Sequence, residues 1–342
     1  MSKSNRPDSG VRSLLARRGV GQVVSVTIAL IVMVIVFGLL NPSFWGASNM
    51  TNLLRQVVPI LIIGIGQSYV LITSGIDLSI GSVAGMSCMM SATLMSTAHM
   101  NPWLATILTL LACCVIGLIN GLLIAKAKLP AFIATLGTMI IARGIAQLVN
   151  NNRNTDSIGQ EGFQNFFYYG SFLKIYTPIW ICLVLFLIFN FLLSRTRTGR
   201  HTYAIGSNYE AAKLSGVNVV LAETKVYVFS SLLAGVVGLI LTAQSGMGNM
   251  DAGNGYELNA VAASVIGGVS TMGGQGILFG TVVGAFIWGV LQNGLQFAGA
   301  PAALRNIVIG IVVIISVLFD RIARGSKGGK RRFGLKKAQS TK

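Results

Sequence analysis

The chain has 342 residues, of which 53% are hydrophobic and 10% charged, and it carries a formal net charge of +17. A soluble domain has about 25% charged residues, so this composition excludes a soluble globular protein and indicates a surface that mostly faces lipid. The basic excess lies at the two ends of the chain, in 1–21 and 320–342. Basic flanks beside apolar segments are typical of cytoplasmic ends, and this placement argues against a nucleic-acid partner.

Ten apolar segments follow one another along the chain, near the roughly twenty residues that a membrane-spanning helix needs. They predict an all-α, polytopic membrane helical bundle of about ten transmembrane helices, or eight to nine where segments are broken or re-entrant. The eighth segment is short and predicts a half-helix. The segments are 22–40, 57–73, 80–98, 103–125, 130–149, 177–194, 224–245, 258–270, 276–297 and 302–320.

Three regions follow from this pattern. A basic cytoplasmic N-terminus covers 1–21, a transmembrane domain covers 22–320, and a basic cytoplasmic tail covers 321–342. Two cytoplasmic ends require an even number of spans, and the loops agree, because 195–222 is rich in basic residues whereas 246–257 has none. The basic ends also predict contact with anionic membrane lipid.

Two Gly/Ser-rich segments interrupt the apolar pattern, one in each half of the chain. They are SGIDLSIGS at 74–82 and GGVSTMGGQG at 267–276. Paired interruptions in the two halves of a transporter indicate broken helices at a binding region. Ordinary turns between helices explain the same composition, and the sequence leaves both interpretations open.

Charged residues within the apolar segments are costly in lipid and are usually functional. Asp77 precedes the helix predicted from residue 80, so either it or Ser79 caps that helix or the carboxylate lies beside a polar substrate path. Arg143 lies in an apolar segment and needs a carboxylate or backbone carbonyls as partners. We expect Glu257 and Arg305 near the outer surface.

The remaining polar residues of the segments are mostly neutral. Amides and hydroxyls both donate and accept hydrogen bonds without net charge, which suits an uncharged polyhydroxyl solute. The same groups can instead bond one helix to another. The candidates for a substrate path are Gln67, Asp77, Asn120, Thr135, Asn259, Gln292 and Asn293.

Motifs for catalysis are missing. The sequence has no metalloprotease motif, no nucleophile elbow and no phosphate-binding loop, and its four cysteines lie in apolar runs without metal-ligand spacing. We therefore expect no enzyme activity, no metal site and no cofactor on this chain, so the energy for transport comes from an ion gradient or another subunit. An ion-coupled carrier of a small polar solute is the alternative. It is less favoured, because the apolar segments contain only a few scattered charged residues from which to build a proton relay.

The connection 195–222 is the longest predicted on the cytoplasmic side. Its Ala211–Ala212 pair favours a short helix over Glu210–Lys213, and Gly216 is suited to end it. The segment is either a solvated linker or a helix presented to a partner, and composition alone does not decide.

Several strings together resemble the permease subunits of bacterial ABC importers for monosaccharides, of the ribose, galactose and xylose type. They occur in family order and span about residues 23–320. The strings are SGIDLSIGS (74–82), PAFIATLGTM (130–139), RTRTGRHTYAIGSNYEAAKLSGVNV (195–219), YELNAVAASVIGGVSTMGGQG (256–276) and GTVVGAFIWGVLQNGL (280–295).

The resemblance implies a homodimer in the bacterial cytoplasmic (inner) membrane that works by alternating access. It implies an ABC ATPase subunit inside, which holds ATP and Mg²⁺, and a periplasmic or extracellular sugar-binding protein outside. It also makes 195–222 the coupling loop, whose small-residue face seats in a groove of the ATPase. The implied coupling residues are Asn208, Glu210, Ala211, Ala212, Ser215 and Gly216.

Two departures from the family pattern limit what the resemblance implies. The family often has Gly-Gly or Gly-Asn before the Ala pair, whereas Gly206-Ser207-Asn208-Tyr209 stand here. The family commonly has Asp at the position of Asn259, so no acidic role is expected there. The sequence does not indicate which sugar is carried, because an external binding protein sets most of the selectivity in such systems.

Overall fold

The computed structural model describes residues 20–305, 307–312, 314, 315 and 318. Each of the ten apolar segments contains a helix in this structure, and further short helices lie in the connections. The basic ends predicted for 1–21 and 321–342 lie outside the described residues, apart from residues 20 and 21. The helices are α1 Val20–Leu40, α2 Ala47–Ile72, α3 Ile80–Ser96, α4 Pro102–Ala125, α5 Ala131–Leu148, α6 Glu161–Gln164, α7 Thr177–Arg195, α8 Arg197–Ser207, α9 Tyr209–Leu214, α10 Val219–Ser245, α11 Tyr256–Ile266, α12 Leu278–Phe297 and α13 Ala302–Val312.

Seven of these helices are long and apolar enough to cross a membrane: α1, α2, α4, α5, α7, α10 and α12. The all-α polytopic bundle is confirmed; within the described part of the chain, the strands are the two-residue pair Ser171–Phe172 and Ile175–Tyr176. Helix α3 has 17 residues and α11 has 11. The predicted half-helix in the eighth segment is therefore present.

Helix α2 begins ten residues earlier than the apolar segment 57–73 predicts. Its first turns contain polar residues such as Asn49 and Thr51, which hydropathy does not count. Asn49 is nevertheless buried, and its amide nitrogen donates to the carbonyl of Phe44 at 2.8 Å. Tertiary contacts thus extend this helix beyond its apolar part.

Helix α10 occupies the centre of the bundle, where it packs against α2, α3 and α4. Its interior side chains include Tyr227 and Leu233, which are fully buried. Helices α1, α4, α5 and α7 lie outside and expose large apolar residues such as Ile28, Leu111 and Leu187. An apolar exterior of this kind is suited to lipid rather than to water.

The two interruptions meet at one end of the bundle. One is the connection 73–79 between α2 and α3, and the other is the connection 267–277 between α11 and α12. The amide of Gly274 donates to the carbonyl of Ile72 at 2.8 Å, and the Ser74 hydroxyl donates to the carbonyl of Met272 at 3.2 Å. The two connections therefore form a common structure with direct bonds between them, not two independent turns.

Candidate functional site

Asp77 is fully buried at the start of α3. One carboxylate oxygen accepts from the backbone nitrogen of Ser79 at 2.9 Å and from its hydroxyl at 2.6 Å. The other oxygen accepts from the hydroxyl of Ser230 on α10 at 2.9 Å. Ser79 directly precedes α3 but makes no side-chain capping bond, because its hydroxyl donates to Asp77. Asp77 accepts the backbone amide of Ser79 rather than an amide within α3.

A chain of hydrogen bonds continues from Asp77 into α4 and α5. The Asn120 amide donates to the Ser79 hydroxyl at 3.0 Å, and its carbonyl oxygen accepts from the Thr138 hydroxyl at 2.7 Å. The Thr135 hydroxyl lies 3.2 Å from the carbonyl of Ile76. Three path candidates, Asp77, Asn120 and Thr135, are thus brought together. All three are fully buried, and their bonds hold the connection 73–79 between neighbouring helices.

The other path candidates lie in separate places. Asn293 and Asn49 exchange amide bonds of 2.9 and 3.0 Å, which join α12 to α2. Asn259 accepts from the indole of Trp288 at 3.1 Å. Gln292 is half-buried, and Gln67 is fully buried with no hydrogen-bond partner for its amide atoms among the described residues. As a single substrate path, these seven residues remain a prediction.

A cleft of about 320 Å³, lined by both polar and apolar side chains, opens between α3, α5 and α11. Arg143 is fixed in it by two bonds from Nη1, to the carbonyls of Met250 (2.8 Å) and Ala252 (3.1 Å). Backbone carbonyls are one of the two kinds of partner expected for this arginine. The cleft is lined by Ser82, Met139, Arg143, Gln147, Asn254 and Glu257, among others.

Glu257 is partly buried. Its carboxylate occupies the space that a side chain on Gly81 would fill, near the beginning of α3. Residues 246–255 fold back against α3 before α11 begins, and the position of Glu257 near the outer surface stays a prediction. Two left-handed glycines, Gly253 (φ 71°) and Gly255 (φ 77°), permit this return.

The predicted short helix in the connection 195–222 is present as α9. The Asn208 side chain caps it by accepting from the amide of Ala211 at 2.9 Å. Gly216 follows the helix in the left-handed conformation, at φ 81°, as expected for a glycine that ends a helix. Ala212 is buried in a small apolar cluster with Ile205 and Val219.

The outer surface of α9 differs from the small-residue face expected for docking. Of the alanine pair, only Ala211 is exposed, because Ala212 packs inward against α8 and α10. The most exposed large apolar side chain of α9 is Leu214, at 87%. Leu214 was not among the coupling residues predicted from the sequence. An apolar residue between Lys213 and Ser215 in an otherwise polar connection could have indicated a contact with a partner. Glu210 and Ser215 are also exposed.

Helix α8 connects α9 to the two interruptions. Gly206 lies so close to them that an added Cβ would fall 1.7 Å from the carbonyl oxygen of Ile72 and 2.6 Å from the nitrogen of Gly274. The Tyr203 hydroxyl donates to the carbonyl of Gly276 at 2.6 Å. Burial raises the pKa of Tyr203 to about 12, so this donor keeps its proton even in strongly alkaline solution. Helix α8 therefore contacts both interruptions directly and is continuous in sequence with α9.

The architecture defines a class before any relative is considered: a multi-helix membrane protein with a broken helix, an open cleft between helices and a short helix presented at one end. Residues 49–317 match the family described as branched-chain amino acid transport system / permease component. The match covers most of the chain, and the chain belongs to this permease family.

Relatives with known names match along nearly their whole length. The chain is 40% identical over 304 residues to the ribose import permease protein of Bacillus subtilis, covering 89% of this chain and 94% of the relative. It is 37% identical to the ribose import permease protein of Escherichia coli K12 (86% and 92% covered). It is 35% identical to the D-allose transport system permease protein of the same strain (86% and 90% covered). The resemblance predicted from the motifs is confirmed.

Proposed function

We propose that this chain is the transmembrane permease subunit of an ATP-driven importer that moves a monosaccharide across the bacterial cytoplasmic membrane by alternating access. The observation that carries the proposal is the identity of 35–40%, over at least 90% of each relative, with permeases named for ribose and allose. A relative from Azospirillum brasilense, 32% identical over 327 residues, is named an L-arabinose ABC transporter permease. The amides and hydroxyls in the apolar segments suit the same solute class.

The proposed site for the ATPase partner is the exposed surface of α9. It presents Glu210, Ala211, Leu214 and Ser215 around a capped, glycine-terminated turn of helix. Leu214 places an apolar side chain among polar ones at the tip of this surface, where it can act as an interface anchor. Asn208, Ala212 and Gly216 then shape this helix rather than touch the ATPase.

The proposed docking site also determines which side of the membrane each partner occupies. The ATPase side is cytoplasmic, since Arg195, Arg197 and Arg200 precede α9 and basic residues mark the inner surface. ATP and Mg²⁺ belong to the ATPase subunit, a sugar-binding protein delivers solute on the opposite side, and two copies of this chain form the pathway. Alternating access requires that the solute binds the two states with different free energies.

A reconstituted complex in proteoliposomes tests the transport proposal. ATP and the ATPase subunit are placed inside, the binding protein is added outside, and uptake of labelled D-ribose, L-arabinose, D-galactose and D-allose is measured. We expect uptake that requires the ATPase and continues when an uncoupler collapses the proton gradient at constant ATP. Uptake that stops with the uncoupler contradicts the proposal and favours an ion-coupled carrier.

The family description names a second solute class, branched-chain amino acids. Labelled leucine therefore belongs in the same panel, with its own binding protein. Uptake of leucine without uptake of any sugar would transfer the proposal to that class, while leaving the ATP-driven mechanism in place.

A further inference from the structure

We infer that the cleft formed by Ser82, Met139, Arg143, Gln147, Asn254 and Glu257 is a transient binding site for one polyhydroxyl solute inside the membrane. This inference rests on the proposed sugar transport and adds the residues that contact the solute on its way. None of the neutral path candidates from the sequence lines this cleft. Asn120, Thr135 and Asn293 are buried in hydrogen bonds to neighbouring elements, whereas the cleft is open.

The depth of the cleft is the first argument. Arg143 is the thirteenth residue of α5, about 18 Å from the start of a helix about 27 Å long at 1.5 Å per residue. The carboxylate of Glu257 lies beside Gly81, the second residue of α3. Arg143 therefore lies within α5, more than three turns from its beginning, and it faces the place where α3 and α11 both begin.

Charged side chains at such a depth do not face hydrocarbon without a large energetic penalty. Arg143 and Glu257 are only partly buried, and Gln147 and Asn254 are exposed. This side of the bundle consequently borders water, although neighbouring side chains of α5 such as Ile141 are apolar and exposed. A water-filled space beside α5 and α11 is what a solute pathway provides.

The backbone supports the same conclusion. Residues 246–255 run into the bundle without regular helix, and α11 begins there after two left-handed glycines. Irregular backbone at membrane depth is tolerated only where protein covers it or it lines an aqueous cavity. Broken helices that start inside a transporter commonly mark its solute site.

The chemistry of the lining fits a sugar. Arg143 has five N–H donors, of which two on Nη1 hold backbone carbonyls, so three donors remain on a guanidinium whose orientation is fixed. Glu257 adds acceptors, and the amides of Gln147 and Asn254 add both donors and acceptors. Met139 and Ile140 offer an apolar wall for the C–H face of a sugar ring. The volume of about 320 Å³ lies at the small end of ligand pockets, which suits a single monosaccharide.

The test uses the complete complex with D-ribose, L-arabinose, D-galactose and D-allose as probes. Gln147→Leu and Asn254→Leu remove hydrogen-bonding groups that hold no other element, while Gln296→Leu is the matched control on an exposed position of α12. We expect initial uptake to fall about tenfold in the first two variants, the effect of losing one or two hydrogen bonds to solute. The control should transport like wild type, and co-purification of the ATPase should be equal in all three.

A labelling experiment gives a readout independent of transport. Gln147→Cys should react with a membrane-impermeant thiol reagent, and 100 mM of the transported sugar together with the binding protein and ATP should slow this reaction at least about threefold, as occupancy of a site requires. Gln296→Cys should react at a rate that sugar does not change. The native cysteines Cys88, Cys113 and Cys182 are buried, and a wild-type sample gives their background.

The outcomes separate the two proposals. If wild type takes up none of the four sugars, the proposed function fails. If wild type transports a sugar while both leucine variants match the Gln296→Leu control, and labelling at position 147 is not slowed, the cleft is not the solute site. Reduced uptake with sugar-protected labelling supports both.

Discussion

The Asp77 network and helix α9 are both polar regions, yet they are built in opposite ways. Asp77 and its partners are fully buried, and each oxygen of its carboxylate has a fixed donor. Helix α9 buries only Ala212 deeply and leaves most of its side chains in solvent. A buried, satisfied network holds a structure in place, whereas an exposed turn of helix with an apolar tip presents a surface. The difference supports a structural role for Asp77 and the proposed docking role of α9.

Removal of the Asp77 carboxylate should have the largest effect. Asp77→Ala leaves the Ser79 and Ser230 hydroxyls without acceptors in the interior, and each unsatisfied buried group destabilises by about 1–3 kcal/mol. We expect thermal unfolding of the purified protein in detergent to show a loss of about 3 kcal/mol. Asp156→Ala, at an exposed position, is the control and should leave stability unchanged. Equal unfolding of the two variants would mean that the network does not hold the fold.

The two sides of α9 should respond differently to the same substitution. Leu214→Asp changes a side chain that is 87% exposed, so stability should be unchanged while affinity for the ATPase falls about tenfold or more, since interface anchors contribute over 1 kcal/mol. Ala212→Asp places a charge in the cluster with Ile205 and Val219 and should destabilise the protein itself. Quantitative pull-down of the ATPase and thermal unfolding measure the two effects.

A matched control distinguishes docking from general loss of apolar surface. Leu173→Asp changes another exposed leucine, at 72%, in the turn between the two short strands. It should leave binding of the ATPase unchanged. If Leu214→Asp also binds the ATPase normally, the exposed side of α9 is not the docking surface.

The fold was largely predictable because hydropathy reports directly on which segments face lipid. All ten apolar segments contain a helix, and the short eighth segment is the half-helix α11. The early start of α2 was not predictable, since its polar residues are helical only because Asn49 finds partners on Phe44 and Asn293. Such contacts join positions far apart in the chain, and no local pattern contains them.

The candidate site was predictable only in part, for a similar reason. Arg143 and Glu257 stand out in the sequence as charges in apolar surroundings. Their convergence with Ser82 and Asn254 depends on how 246–255 folds back, which spacing does not reveal. Neutral polar residues gave the weaker signal, because an amide that binds a solute and an amide that joins two helices look the same in a sequence.

The smallest effect concerns the cap of α9. It distinguishes residues that stabilise this helix from residues that contact the ATPase. Asn208 accepts from the amide of Ala211, and loss of such a cap typically costs about 1 kcal/mol. Asn208→Ala should therefore fray α9 and weaken binding of the ATPase about fivefold at most, with little change in global unfolding. Asn208→Ser keeps an N-cap acceptor and should restore binding, because the role lies in the hydrogen bond to the backbone rather than in contact with the ATPase. If the serine variant binds as poorly as the alanine variant, Asn208 contacts the partner directly and belongs with Leu214 on the docking surface.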